Sequence, residues 1–176
     1  MNKNKEFSYL FDLKSKEMMH LYYASKNKHG HIMEDRDVFI KNIVIQIKDF
    51  VNEYDFIVYP QSSNDFVESI VLALNKESII VYKNSIKDIL TKIDDLNLQK
   101  SEKSSHLERI LNMDGAFKIN SLKATQRRKY ESLLFKKTKV MEGKGIIIDD
   151  SCFSGTTFNA IKLATGVNDC LAIFAK

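Results

Sequence analysis

Residues 145–158 read GIIIDDSCFSGTTF. Ile146, Ile147 and Ile148 form an apolar run without polar alternation, which predicts a strand buried on both faces. The run stops at two adjacent acids, Asp149 and Asp150. Ser151 to Thr157 then form a polar loop. Phe158–Thr165 has the pattern of a helix, with Gly166 as its C-cap. A doubly buried strand followed by a helix belongs to a parallel sheet, because parallel neighbours are joined by crossovers that cover the sheet faces.

The same unit recurs on either side. DFIVYP at 55–60 predicts another buried strand, stopped by Pro60, the one proline of the chain. ESIIVYK at 77–83 and CLAIFA at 170–175 complete a set of strands near 56–60, 78–82, 145–149 and 170–174. Between them, 34–54, 66–74 and 86–96 carry helical spacing of apolar residues. The fold expected is therefore α/β: a mostly parallel, twisted sheet with helices on both faces. Residues 1–33 are polar and irregular, with one short helical candidate at 16–25. Residues 1–55 are thus expected to form a helical N-terminal lobe on a core of 56–176, which has a helical insertion at about 84–139. Within that insertion NLQKSEKSSHL, residues 97–107, has little to bury. It reads as an exposed loop, with 99–105 as the most mobile part.

Composition bounds the function. A chain of 176 residues suits one domain, or one core with an attached lobe. With 44% hydrophobic and 28% charged residues it is not a disordered chain. No apolar stretch approaches the roughly 20 residues of a membrane-spanning helix, and the first residues carry no apolar signal core. Cys152 and Cys170 have neither metal-ligand spacing nor a disulfide framework. A cytoplasmic protein with reduced thiols and no membrane partner is expected. The net charge of +4 permits nucleic acid or a phosphorylated small molecule as partner without choosing between them. His20, His29 and His31 lack the further donors a metal centre needs and read as surface histidines.

In α/β sheets ligands bind beyond the carboxyl ends of the strands, and the polar residues here cluster there. Backbone N–H groups of a loop such as 151–157 converge on an anion, and the following helix adds its positive end. Gly155 admits close approach of the backbone, while Ser154, Thr156 and Thr157 can donate hydroxyl hydrogen bonds. Two carboxylates directly before such a cradle suit a sugar phosphate, the acids accepting from a diol. The plainer reading of the same residues is an acid-ended strand and an ordinary capped helix.

This stretch resembles the PRPP-binding motif of the type I phosphoribosyltransferases: four apolar residues, two acids, a short spacer and a Thr/Ser-Gly-x-Thr loop. Gly145–Ile148 match the apolar run, Asp149 and Asp150 the catalytic acid pair, and Ser154-Gly155-Thr156-Thr157 the loop. The resemblance implies PRPP or a nucleoside 5′-monophosphate as ligand. Its ribose hydroxyls would lie on the acids and its 5′-phosphate on the loop, with Ser151 beside it. Mg²⁺ is implied as an ion bridging pyrophosphate and ribose oxygens, not as one held by a protein metal site. The implied reaction transfers 5-phosphoribosyl to a nitrogen nucleophile and releases pyrophosphate. Phe153 stands where several purine-type members carry an aspartate that assists proton transfer. An aromatic ring cannot be a general base, but it can stack on a flat acceptor.

Further positions follow from the same resemblance. The loop after the first core strand would receive pyrophosphate, here on Ser62, Ser63 and Asn64. Taken alone these residues read as helix capping, with Ser62 and Asp65 in a capping-box pattern. Lys83, at the end of the second strand, is either a pyrophosphate contact or a solvated terminus. ATQRRKYESLL at 124–134 joins Arg127 and Arg128, two of the four arginines. It is either a solvated helix face or a mobile loop that brings positive charge over a polyphosphate. The layout is similar to the ComF-type phosphoribosyltransferases over about 56–176. In particular, 125–129 resembles their Thr-x-x-Gln then Arg-Arg stretch, with compressed spacing and without its asparagine. A cysteine zinc ribbon that often precedes such domains is absent. Two function classes are expected: a phosphoribosyltransferase, or a non-enzymatic PRPP- or nucleotide-sensing module. The second would serve a protein or nucleic-acid partner in nucleic-acid processing, DNA uptake or defence.

Overall fold

Ile146, Ile147 and Ile148 are wholly buried. In the computed structural model, which describes residues 1–3, 7–27, 30–96, 98–113, 117, 122 and 124–176, they lie inside a six-stranded sheet. Its strands are β1 (Asn2–Lys3), β2 (Ser8–Asp12), β3 (Phe56–Pro60), β4 (Ser78–Val81), β5 (Gly145–Cys152) and β6 (Asp169–Ala175). The order is β1-β2-β6-β5-β3-β4. The short edge strand β1 runs antiparallel to β2, and every other pair is parallel. Ile57 lies opposite Ile146 and Val58 opposite Ile147, while Ile148 faces Leu171 on the other side.

Alternate residues of each strand feed two separate cores. Phe56, Val58, Ile147 and Ala172 enter one, Ile57, Tyr59, Ile146, Ile148 and Ile173 the other. This is why the strands carry no polar alternation. The helices α1 (Lys16–Ser25), α2 (Arg36–Asn52) and α3 (Phe66–Ala73) cover the second face. On the first face lie α4 (Ile86–Lys92), α5 (Lys100–Leu111), α7 (Glu131–Leu134) and α8 (Thr156–Thr165), with α6 (Ala124–Arg127) preceding α7. Gly166 closes α8 in the left-handed conformation at φ +81°, as its C-cap position predicts. The α/β class with helices on both faces is thus the observed one.

Three expectations are corrected. The N-terminal lobe is not wholly helical, because β2 pairs along β6, Tyr9 opposite Ala172 and Phe11 opposite Phe174. The strand is short and half-buried, and Phe11 holds it by packing on Phe174 at 5.4 Å and Phe39 at 5.9 Å. Second, 99–105 is not a loop but the start of α5. Ile110 and His106 are buried, and Glu102, one turn before His106, pairs with Lys129 at 2.9 Å. Third, β5 continues to Cys152, since β6 is long enough to pair with it through Ala175. The acid pair therefore belongs to the strand itself.

From β3 the chain steps outward to β4. It then returns to β5 on the other side of β3 and steps on to β6. This reversal of direction between β3 and β5 opens a crevice at their carboxyl ends. Among the described residues no helix is long and apolar enough to cross a membrane.

Candidate functional site

A cleft of about 500 Å³ occupies that crevice. Ser62, Ser63, Asn64, Lys83, Arg127, Asp149, Asp150, Ser151, Phe153, Ser154, Gly155, Thr156 and Thr157 all line it. Of the residues singled out from sequence, only Arg128 stays away, exposed on the surface.

The loop after β5 reaches α8 through Gly155, the N-cap residue, which has φ +72°. A side chain is disfavoured there. No side chain caps the helix, so its first N–H groups face the cleft without that partner. Ser154 Oγ and Thr156 Oγ1 lie 3.0 Å apart beside it. The arrangement suits an anion.

The loop after β3 is folded on itself. Ser62 Oγ accepts from the Asn64 side-chain amide at 3.1 Å, and Asn64 Oδ1 accepts from the Phe66 N–H at 3.1 Å. The Ser62–Asp65 capping box does not form. Asp65 makes no side-chain cap and instead pairs with Arg36 at 2.6 Å. Arg36 also donates to the Ser25 carbonyl at 3.0 Å, so it joins the end of α1 to this loop. Lys83 extends from the end of β4, where its backbone bridges to Phe135.

The acid pair is asymmetric. Asp149 is 7% exposed and accepts the Asp150 N–H at 2.8 Å. Burial, and then the neighbouring Asp150 charge, push its pKa well above the ordinary aspartate range, so its neutral form is favoured. Asp150 instead pairs with Lys26, whose side chain is only 4% exposed. Burial opposes the Lys26 ammonium, but Asp150 and Tyr22 outweigh it and its pKa is raised. Lys26 donates to the Tyr22 hydroxyl at 2.8 Å and sits 4.1 Å from the centre of that ring. Phe153 is half exposed and meets Tyr22 edge-on at 5.9 Å.

The basic segment is helical, not an open loop. Tyr130, Leu133 and Leu134 are buried and anchor it. His106 binds the Tyr130 hydroxyl at 2.8 Å and the Gln126 side chain at 2.9 Å. Burial lowers the His106 pKa, which favours the neutral ring this contact pattern requires. Arg127 follows Gln126 and reaches the cleft, its Nε donating to the Leu122 carbonyl at 3.1 Å. Arg128 is exposed and does not line the cleft.

Sequence reasoning missed Lys26, Gln61, Phe117, Leu134 and Phe135. Tyr22 and Lys26 are four residues apart and so share a helix face, but nothing local ties that face to Asp150. His20 and His31 pack edge to face at 4.4 Å elsewhere, and His29 lies outside the described residues. Among the described residues no group of three His, Cys, Asp or Glu side chains is placed to hold a metal ion. No family model matches the chain, and no curated protein matches it.

Proposed function

We propose that this cleft binds a 5-phosphorylated ribose, as PRPP or a nucleoside 5′-monophosphate, and that the protein is phosphoribosyltransferase-like. The observation that carries the reading is convergence. An uncapped helix N-terminus led by a left-handed glycine, an acid pair and a hydroxyl-rich loop on the neighbouring strand all face one space. In this reading the 5′-phosphate lies on Ser154–Thr157 with Ser151 nearby, and the ribose hydroxyls on Asp149 and Asp150. Pyrophosphate lies on Ser62–Asn64 with Lys83 and Arg127 as its cations. A nitrogen nucleophile would form its bond to C1 as the bond from C1 to pyrophosphate breaks, the electron pair leaving with pyrophosphate. Lys83, Arg127 and the loop N–H groups would stabilise that charge.

Magnesium enters only as an ion carried by the ligand's own oxygens. A resident protein-held ion does not fit the acids. Asp150 already pairs with an ammonium, and among the described residues no group of three His, Cys, Asp or Glu side chains is placed to hold an ion. No step is assigned to the metal.

Phe153 favours a second reading, a sensor that binds PRPP without turnover. It occupies the spacer between the acids and the phosphate loop, half exposed, and can stack on a base but cannot accept its proton. Pyrophosphate release from PRPP with Mg²⁺, measured across a panel of nitrogen acceptors, separates the two. Release with any acceptor supports the transferase. Saturable PRPP binding without release supports the sensor, and absence of PRPP binding overturns both.

A further inference from the structure

Both oxygens of Asp150 are engaged by a closed ring of side chains that joins α1 to β5. Lys26 Nζ pairs with Oδ2 and donates to the Tyr22 hydroxyl at 2.8 Å. The Tyr22 hydroxyl lies 3.1 Å from Ser151 Oγ, and Ser151 donates to Asp150 Oδ1 at 2.7 Å. The proton directions follow from the groups themselves. An ammonium only donates and an ionised carboxylate only accepts. Ser151 therefore uses its proton on Asp150, and Tyr22 donates to Ser151. Every hydroxyl in the ring gives one bond and receives one. The ring takes one lone-pair site on each carboxylate oxygen and leaves another on each. Asp150 lines the cleft, so those remaining sites are available to two hydroxyl groups of a ligand.

We propose that Lys26 and Tyr22 are positioning residues that hold the Asp150 carboxylate at one rotation, so that it selects ligands carrying a cis-diol. The inference rests on the cleft being a phosphoribose site. Its chemistry is narrower than that reading: ribose phosphates are preferred over sugars of the same charge that lack the 2- and 3-hydroxyls.

The test is calorimetric titration of the full chain with ribose 5-phosphate and with 2,3-dideoxyribose 5-phosphate. Wild type, Lys26→Met and Tyr22→Phe are compared, each checked for folding by circular dichroism. Wild type should prefer the diol by about tenfold or more, the scale of one hydrogen bond to a charged group. In Lys26→Met the preference should collapse toward unity. In Tyr22→Phe, which keeps the ammonium, it should fall by a smaller factor. The two probes carry equal charge, so a mere loss of positive potential weakens both alike and leaves their ratio unchanged. An unchanged ratio in both variants overturns the positioning role while leaving the phosphoribose reading standing. Failure of wild type to bind either sugar overturns that reading and this inference with it. Should Lys26→Met fail to fold, the ratio in Tyr22→Phe decides.

Discussion

The Tyr22 hydroxyl lies 3.1 Å from Ser151 Oγ, across 129 residues of sequence. The contact ties the end of the first helix to the last residues of the central strand. Because Lys26 and Asp150 close the same ring, the N-terminal segment forms part of the cleft rather than a separate cover over it.

The two acids should respond differently to the same substitution. Asp150→Asn leaves the Lys26 ammonium buried without its counter-charge, a change that costs about 3–5 kcal/mol at buried pairs. Asp149→Asn replaces a carboxyl that already favours its neutral form with a neutral isostere, so it should not destabilise the chain. Urea denaturation of the two variants checks this. Equal losses would contradict the asymmetry.

The raised Asp149 pKa also sets a pH dependence. The native state holds a proton on this group that the unfolded chain releases near the ordinary aspartate value of about 3.9. Its contribution to stability is fully present below that value and is lost as the pH rises through the raised native one. The stability of Asp149→Asn relative to wild type should therefore climb with pH across that window. Thermal midpoints taken at several pH values read it directly, and a constant difference would show that Asp149 ionises normally.

Gly155 should be the least replaceable residue of the phosphate loop. Its φ of +72° costs an L side chain about 1–2 kcal/mol. Gly155→Ala should lower stability by that order and weaken inorganic phosphate binding, measured by competition or calorimetry. Retained stability and affinity together would mean that the loop tolerates a side chain and does not bring its backbone close to an anion.

Much of this was legible in the chain itself. Ile146–Ile148 and FIVYP declare buried strands because both faces of a parallel sheet need apolar residues, and every polar residue after Asp149 that was singled out does line the cleft. What stayed hidden depends on distant partners. SYLFD is too short to show a period, and becomes a strand only because β6 offers it an edge. The polar SEKSSHLERIL becomes a helix because His106 and Ile110 find a core built by residues further along. Lys26 looks like any lysine in a basic stretch, since its partner lies at the far end of the sequence.

Arg127 and Arg128, adjacent in sequence, should separate in function. Arg127 lines the cleft, whereas Arg128 is exposed beyond it. Arg127→Ala should weaken PRPP binding about tenfold, the equivalent of roughly 1.4 kcal/mol, and ribose 5-phosphate binding much less, because only PRPP carries pyrophosphate. Arg128→Ala should leave both unchanged. Fluorescence or calorimetric titrations of the two variants decide it, and equal effects would return the segment to the status of a solvated surface.

The central claim concerns where a phosphorylated ribose sits, and a crystal structure of the chain grown with ribose 5-phosphate tests it most directly. The account predicts phosphate oxygens at hydrogen-bonding distance, about 3 Å, from the Ser154–Thr157 loop, with the sugar hydroxyls on Asp149 and Asp150. Sugar density away from the acid pair, or a phosphate seated on Ser62–Asn64 with the loop before α8 empty, would contradict it.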